Sequence, residues 1–396
     1  MYIKRCSENK LERLLASGKV GIILGARQVG KTTLVQHVLG ARKALFLNFD
    51  VEIDKQRFLS AASSAPTDAL RSLGSPDVLV LDEAQRLPHA ARTVKGWYDA
   101  GLPVKILLLG SSSLNLLDQA AESLTGRNVK LILPPLLFEE ALRSQSWVSE
   151  ADSTESLREH FAKQLRVFLL NCMAYGSYPE VVLTNDKLTL LRNLSSDYLW
   201  KDVLQSGLIR NPDLIKRLLM LLAHQIGSEV SVHELATQMH MARPTVEHYL
   251  DLLEQTYVIF RLPSLSTNPR KEISKSKKVY FWDTGIRNAL LNAFATEEFR
   301  PDIGTLWENW VVAEVAKRNL LEGSPAELFF WRTRSQSEVD LVCKTGDTLK
   351  AFEIKWRAKH SAHRAFQDMY SVEVETVDSE DPFLGQRVFG ALDFAM

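Results

Sequence analysis

Five short apolar runs punctuate the first third of the chain: Val20–Leu24, Ala44–Phe49, Val78–Leu81, Val104–Leu109 and Val129–Leu133. Each is too short for an ordinary helix and reads as a buried strand. Thr33–Leu39 has helical spacing instead and stops at Gly40, so a strand, a loop and a helix follow one another between Val20 and Gly40. An open α/β sheet is expected up to about residue 145.

Helical spacing takes over from about residue 150 to 225, carried by Phe161, Leu165, Val167, Phe168, Leu169 and later Leu214, Leu218, Leu219, Leu221 and Leu222. Gly176 and Pro179 fall close together inside Tyr175–Glu180 and predict a turn there. At Ser231 a new pattern begins. Ser231 precedes Glu234 by three residues, as in a capping box, and a second helix is expected over Arg243–Leu253. Tyr257–Leu262 then alternates like a strand, which completes a winged helix-turn-helix pattern. The last part reads as a helix over Thr305–Ala316, strands at Leu328–Trp331 and Ser337–Val342, and a return strand at Ala351–Trp356. The expected boundaries are a core at 1–145, a helical lid at 146–227, the winged module at 228–265 and an α/β module at 266–396.

The loop after the first strand carries chemistry. Gly25-Ala-Arg-Gln-Val-Gly-Lys-Thr matches the full Walker A pattern. Gly25 and Gly30 let the backbone curl so that its N–H groups face phosphate oxygens at a helix N-terminus. Gly25, Arg27, Gln28, Gly30, Lys31, Thr32 and Thr33 are therefore the expected nucleotide-binding residues, with Lys31 on the β- and γ-phosphates and Thr32 on Mg2+. The strand Val78–Leu81 delivers Asp82, expected to anchor the metal, and Glu83, expected to orient the attacking water. The strand ending at Gly110 delivers Ser111, Ser112 and Ser113 to the carboxyl edge of the sheet, where ligands of open α/β sheets collect.

Residues 1–145 resemble an AAA+ ATPase: five strands, both Walker motifs, a sensor-1 serine (Ser111 or Ser112) and an arginine before the fifth strand. The wording Leu81-Asp-Glu-Ala-Gln-Arg-Leu-Pro and Leu124-Thr-Gly-Arg is similar to the prokaryotic AAA+ subgroup fused to domain of unknown function 4143. That resemblance implies ATP and Mg2+ as cofactors, Arg127 as an arginine finger inserted into a neighbouring subunit, and a homo-oligomer, with a hexamer favoured. It extends through Tyr175–Glu180 and Tyr198–Asp202, but no sensor-2 arginine is apparent. Nucleotide sensing is then expected to rest on Arg127 and the serine cluster.

A second constellation lies near the carboxyl terminus. Glu353 and Lys355 share a face of one strand, and Asp340 ends an adjacent one. Glu308 comes from the preceding helix. Two carboxylates and an ammonium of this kind can bind Mg2+ and activate water for phosphodiester cleavage. Glu308, Asp340 and Glu353-x-Lys355 resemble the PD-(D/E)XK nuclease fold, with Val339 in place of the usual proline. That implies a restriction-endonuclease-like α/β module with Glu308, Asp340, Glu353 and Lys355 as catalytic residues, and Asp340 and Glu353 as metal ligands.

Charge bears on the partner. The chain has 48 basic and 48 acidic residues, so any polyanion site must be local. One local run is Arg270, Lys271, Lys275, Lys277 and Lys278 against Glu272, readable as a solvated loop or as a phosphate-tracking segment. In the winged module Glu247, Asp251 and Glu254 oppose direct DNA contact, and a protein-binding role stands beside it. The N-terminus lacks an apolar signal core, and no run approaches the roughly 18 apolar residues of a membrane span, so a cytoplasmic protein without a membrane partner is expected. Cys6, Cys172 and Cys343 lack metal or disulfide spacing and read as inert thiols. Two functions fit this pattern. One is an ATP-driven DNA-processing enzyme whose carboxyl-terminal module cuts DNA, branched DNA included. The other is a nucleotide-controlled switch or defence component whose module only holds nucleic acid or protein.

Overall fold

The computed structural model describes residues 2–87, 89–111, 124–149, 151–198, 212–266, 277–322, 325–333, 337–357, 363–383 and 388. The chain divides into two compact units, one of Tyr2–Pro134 with Gln255–Tyr257, the other of Pro135–Glu254 with Val258–Met396.

In the first unit β1 (Val20–Leu24), β2 (Ala44–Asn48), β3 (Val78–Asp82), β4 (Lys105–Gly110) and β5 (Asn128–Ile132) form one sheet in the order β2-β3-β4-β1-β5. Every neighbouring pair is parallel. Parallel strands are normally covered on both faces, and β1 and β3 are buried at every position. Helix Ala90–Asp99 shows how the covering is built: Ala90, Ala91, Val94 and Trp97 fall on one stripe and are buried. Trp97 and Phe58 join Ile22, Leu24, Leu79, Leu81 and Leu108 in one core. The register pairs Leu24 with Gly110 and Leu81 with Leu108. Gly25, Asp82 and Ser111 therefore leave neighbouring strands on the same edge.

The second unit departs from the boundaries expected from sequence. Helix Phe138–Leu142, expected in the nucleotide-binding core, belongs here. Residues 146–254 and 258–396, expected as three modules, fall in one unit, where apolar faces of the different segments have one another as partners. Helix Ala162–Tyr175 buries Leu165, Leu169, Cys172 and Met173 in the same core as Trp307, Trp310, Val311 and Val315 of helix Ile303–Asn319. Helices Val232–Met239 and Arg243–Gln255 follow the expected pattern, with Ser231 accepting a hydrogen bond from Glu234 N. The strand that follows them does not close on itself, however. β7 (Ile259–Leu262) pairs antiparallel with β8 (Lys277–Phe281), which also pairs with β6 (Glu229–Val230). This sheet crosses the boundary expected at residue 265.

Gly176 marks the expected turn and has a clear reason to be glycine. Its φ is +76°, and a Cβ there would lie 2.0 Å from the carboxylate of Asp283, which accepts a 2.7 Å hydrogen bond from Ser177 N.

Toward the carboxyl end, β9 (Glu327–Arg332), β10 (Glu338–Thr345), β11 (Thr348–Ile354) and β12 (Val374–Val377) form a sheet in the order β12-β11-β10-β9. The first three strands form an antiparallel meander, and β12 runs parallel to β11. Trp307, Val311 and Val315 pack with Leu341, Phe352 and Ile354 in one cluster, and Phe366 of helix Arg364–Tyr370 packs with Val339, Val342 and Ala351 in another. On β11 residues of opposite parity feed the two clusters, and on β10 the register shift between Val339 and Val342 lets Val339 and Leu341 feed different ones, so one helix covers each face. The order is helix, three strands, helix, strand. Cys172 and Cys343 are buried free thiols, and burial pushes Cys343 up to about 12. Among the described residues no helix is long and apolar enough to cross a membrane.

Candidate functional site

Gly25 opens the loop after β1 with no room for a side chain, since a Cβ would lie 2.1 Å from Leu133 O. Gln28 and Gly30 both take positive φ, +62° and +91°. That curl turns the chain directly into helix Lys31–Leu39. Lys31 is buried, and its Nζ donates to Gly25 O and Ala26 O at 2.9 Å each. Thr32 Oγ1 donates to Asp82 Oδ2 at 2.6 Å. Arg27 and Arg86 both pair with Asp50, at 3.1 and 2.9 Å, and Thr33 is exposed.

Glu83 has a left-handed backbone, φ +52°. Gln85 Nε2 donates to Glu83 Oε2 at 2.6 Å and to Ser111 Oγ at 3.1 Å, while Ser111 Oγ donates to Glu83 Oε2 at 3.3 Å. The three side chains close a small triangle beside Asp82. Ser112 and Ser113 lie outside the described residues. Arg127 stands half-exposed before β5, with Nε 2.7 Å from Asp99 Oδ1.

The second constellation is also assembled, with an addition. Asp340 on β10 accepts from Ile354 N at 2.8 Å. Lys355 lies 2.5 Å from Glu353 Oε1 and 3.7 Å from Asp340 Oδ2. Lys278 of β8, 3 % exposed, places its Nζ 3.0 Å from Glu308, 2.6 Å from Glu338 and 3.7 Å from Asp340. Tyr280 OH donates to Glu308 at 2.7 Å. Burial alone would lower the Lys278 pKa, but the charges of Glu308, Asp340 and Glu338 hold it above its ordinary value. Burial lifts Glu308 to about 7 against the pull of Lys278. Burial and then Asp340 also raise Glu353. The residues present do not fit a metal: among the described residues no group of three His, Cys, Asp or Glu is placed to hold an ion. The pairing of Asp340 and Glu353 expected from sequence around Mg2+ is met instead by two lysines.

The family model for the AAA domain matches residues 17–142, and that for Domain of unknown function (DUF4143) matches 303–383. A further Domain of unknown function (DUF8612) matches 168–297. An uncharacterised protein of Mycobacterium tuberculosis is 30% identical over 373 residues, covering 92% of this chain and 76% of the relative. The chain belongs to a family of AAA ATPases fused to a DUF4143 domain. An uncharacterised protein of Methanocaldococcus jannaschii is 28% identical, over 84% of this chain and 74% of its own length. A Walker-type ATPase of Pyrococcus abyssi shares the fold, with a TM-score of 0.50 at 18% identity over 73% of this chain and 96% of that one.

In this ATPase the residues that sequence reasoning missed are Gln85, Lys278, Tyr280 and Glu338. Gln85 stands two residues beyond Glu83, within side-chain reach. Lys278 was legible only as part of a basic run, although its period-two relation to Tyr280 places both on one face of β8. Lys277 of the same run opens β8, and Arg270, Lys271, Glu272 and Lys275 lie outside the described residues. The acidic residues of helix Arg243–Gln255 have their own partner: Arg261 of β7 pairs with Asp251 at 2.6 Å and with Glu254. Glu247 is exposed.

Proposed function

We propose that this AAA ATPase is a nucleotide-controlled oligomeric switch whose carboxyl-terminal module holds nucleic acid or protein without cutting it. The observation that carries this reading is the buried Lys278 ammonium among Glu308, Glu338 and Asp340, where a hydrolytic module needs a metal. In the nucleotide site Lys31 takes the β- and γ-phosphates, the Thr32–Asp82 pair offers hard oxygens for Mg2+, and Glu83 orients water. These residues fit a metal-bound nucleotide: Gln28 and Gly30 take the positive φ that curls the loop, and Lys31 at the helix start bonds the carbonyls of that curl. Arg127 acts on the site of a neighbouring subunit, most simply in a hexamer. DNA is the favoured partner, engaged through the helix-turn-helix segment, where Arg261 neutralises two of the three acidic side chains that would repel phosphate.

A second reading, ATP-driven DNA processing with Mg2+-dependent cleavage, is favoured by the ion pairs that bring Lys355 to Asp340 of β10 and to Glu353 of β11. A cleavage assay on linear, single-stranded, forked and four-way DNA, with and without ATP, separates the two. The switch reading expects no Mg2+- or Mn2+-dependent nicking on any substrate. Nicking that disappears in Asp340→Ala replaces it with the second.

A further inference from the structure

Four carboxylates meet in one partly buried space of the second unit, Glu308, Glu338, Asp340 and Glu353, and two ammonium groups meet them, Lys278 and Lys355. The lysines are not equivalent. Lys355 is 41% exposed and reaches in from the rim, whereas Lys278 is 3% exposed and touches three of the four acids. Its surroundings are built for a cation on every side. The Phe330 ring centroid lies 5.6 Å from its Nζ, Tyr280 holds Glu308 in place, and Arg332 pairs with the far oxygen of Glu338 at 3.6 Å. Glu353 Oε2, also buried, has no hydrogen-bond partner among the described residues and faces His363 Nε2 at 3.6 Å. The space therefore carries more acid than its lysines neutralise.

The distances explain why no ion fits as the side chains stand. Around Lys278 Nζ the oxygens sit at 2.6, 3.0 and 3.7 Å, which are ammonium distances. Oxygen ligands of Mg2+ stand at about 2.0–2.1 Å and those of Ca2+ at about 2.3–2.6 Å. The ammonium holds the carboxylates at the wider radius and occupies the centre itself.

We propose that Lys278 is the resident cation of this cluster, and that removing its ammonium opens a latent site for one hard divalent ion bounded by Glu308, Glu338 and Asp340. The inference rests on the switch reading and supplies its cause: the module stays free of metal because the chain provides its own cation. Lys278 is thus a specificity-determining residue, set against Mg2+ and Mn2+ by charge and by position.

The test uses the full chain without nucleotide and Mn2+ as the probe, counted by electron paramagnetic resonance. Lys278→Met is expected to bind one Mn2+ per chain more than wild type, at least about tenfold more tightly than any wild-type site in the cluster. Lys278→Met with Asp340→Asn is expected to lose that ion, and Lys278→Arg to bind as wild type does. Mn2+ should raise the melting temperature of Lys278→Met alone. Equal binding by wild type and Lys278→Met, or a gained ion that survives Asp340→Asn, overturns the assignment. If Lys278→Met does not fold, the wild-type titration still decides: an Asp340-dependent Mn2+ site with a Kd at or below about 10 μM overturns the proposal, and its absence supports it. The switch reading fails by a different observation, DNA nicking, so the two failures are separable.

Discussion

Replacing Gln85 by alanine removes a short contact to the carboxylate expected to orient the hydrolytic water. Gln85 Nε2 lies 2.6 Å from Glu83 Oε2, and Ser111 Oγ is a longer donor at 3.3 Å. Glu83 also has a left-handed backbone, a conformation that costs a residue with a side chain about 1–2 kcal/mol. Its aim is therefore held by these neighbours and not by a relaxed local geometry. A hydrogen bond to a charged group contributes about 1.5–3 kcal/mol, and tenfold in a population corresponds to about 1.4 kcal/mol. Gln85 is only partly buried, which favours the lower half of that range. Gln85→Ala should then lower kcat for ATP hydrolysis by about 10- to 50-fold. Nucleotide affinity should stay within about threefold, because Lys31 bonds Gly25 O and Ala26 O and Thr32 bonds Asp82, not through Gln85. Steady-state hydrolysis and fluorescent-nucleotide binding measure the two quantities separately. An unchanged or raised kcat would mean that Gln85 restrains Glu83 instead of positioning it. An affinity loss that parallels kcat would mean that Gln85 shapes the whole loop.

Two further substitutions probe the same unit. Lys31→Ala should abolish nucleotide binding, whereas Glu83→Gln should keep it and lose hydrolysis, and normal turnover in Glu83→Gln would remove the role given to that carboxylate. Arg127→Ala should hydrolyse poorly by itself and regain partial activity when mixed with Lys31→Ala subunits; a fully active wild-type monomer would refute action between subunits.

The nucleotide loop was legible because its signals are local. A glycine pair at fixed spacing, a preceding apolar run and a following helix lie within about twenty residues of one another, and the structure shows the curl at Gly25 and Gly30. Asp82 was legible for the same reason, at the end of a continuous apolar strand. The second unit was read less well. Helix Ala162–Tyr175 has an apolar face that sequence presents as a lid, yet its partner lies on helix Ile303–Asn319, and no local pattern encodes that pairing. Lys278 shows the same limit at one residue. In sequence it closes a basic run, but the pairing of β8 with β7 and β6 buries it beside carboxylates 30, 60 and 62 positions further on. Charge runs are read as solvated by default, and only tertiary placement shows which member of a run is drawn inside.

The core shared by helices Ala162–Tyr175 and Ile303–Asn319 also sets an order of events during synthesis. The first unit has all five strands of its sheet once Ile132 has been made. The face of Leu165, Leu169 and Met173 must wait for Trp307 and Val311, which emerge more than a hundred residues later. At about 5–20 residues per second, that face stays without its partner for roughly 7–28 s. Each ribosome thus carries a finished nucleotide-binding sheet and a bare apolar helix at the same time, and on a polysome several such helices are exposed close together. The nascent chain is most open to holdase chaperones, and to pairing with its own copies, in that interval.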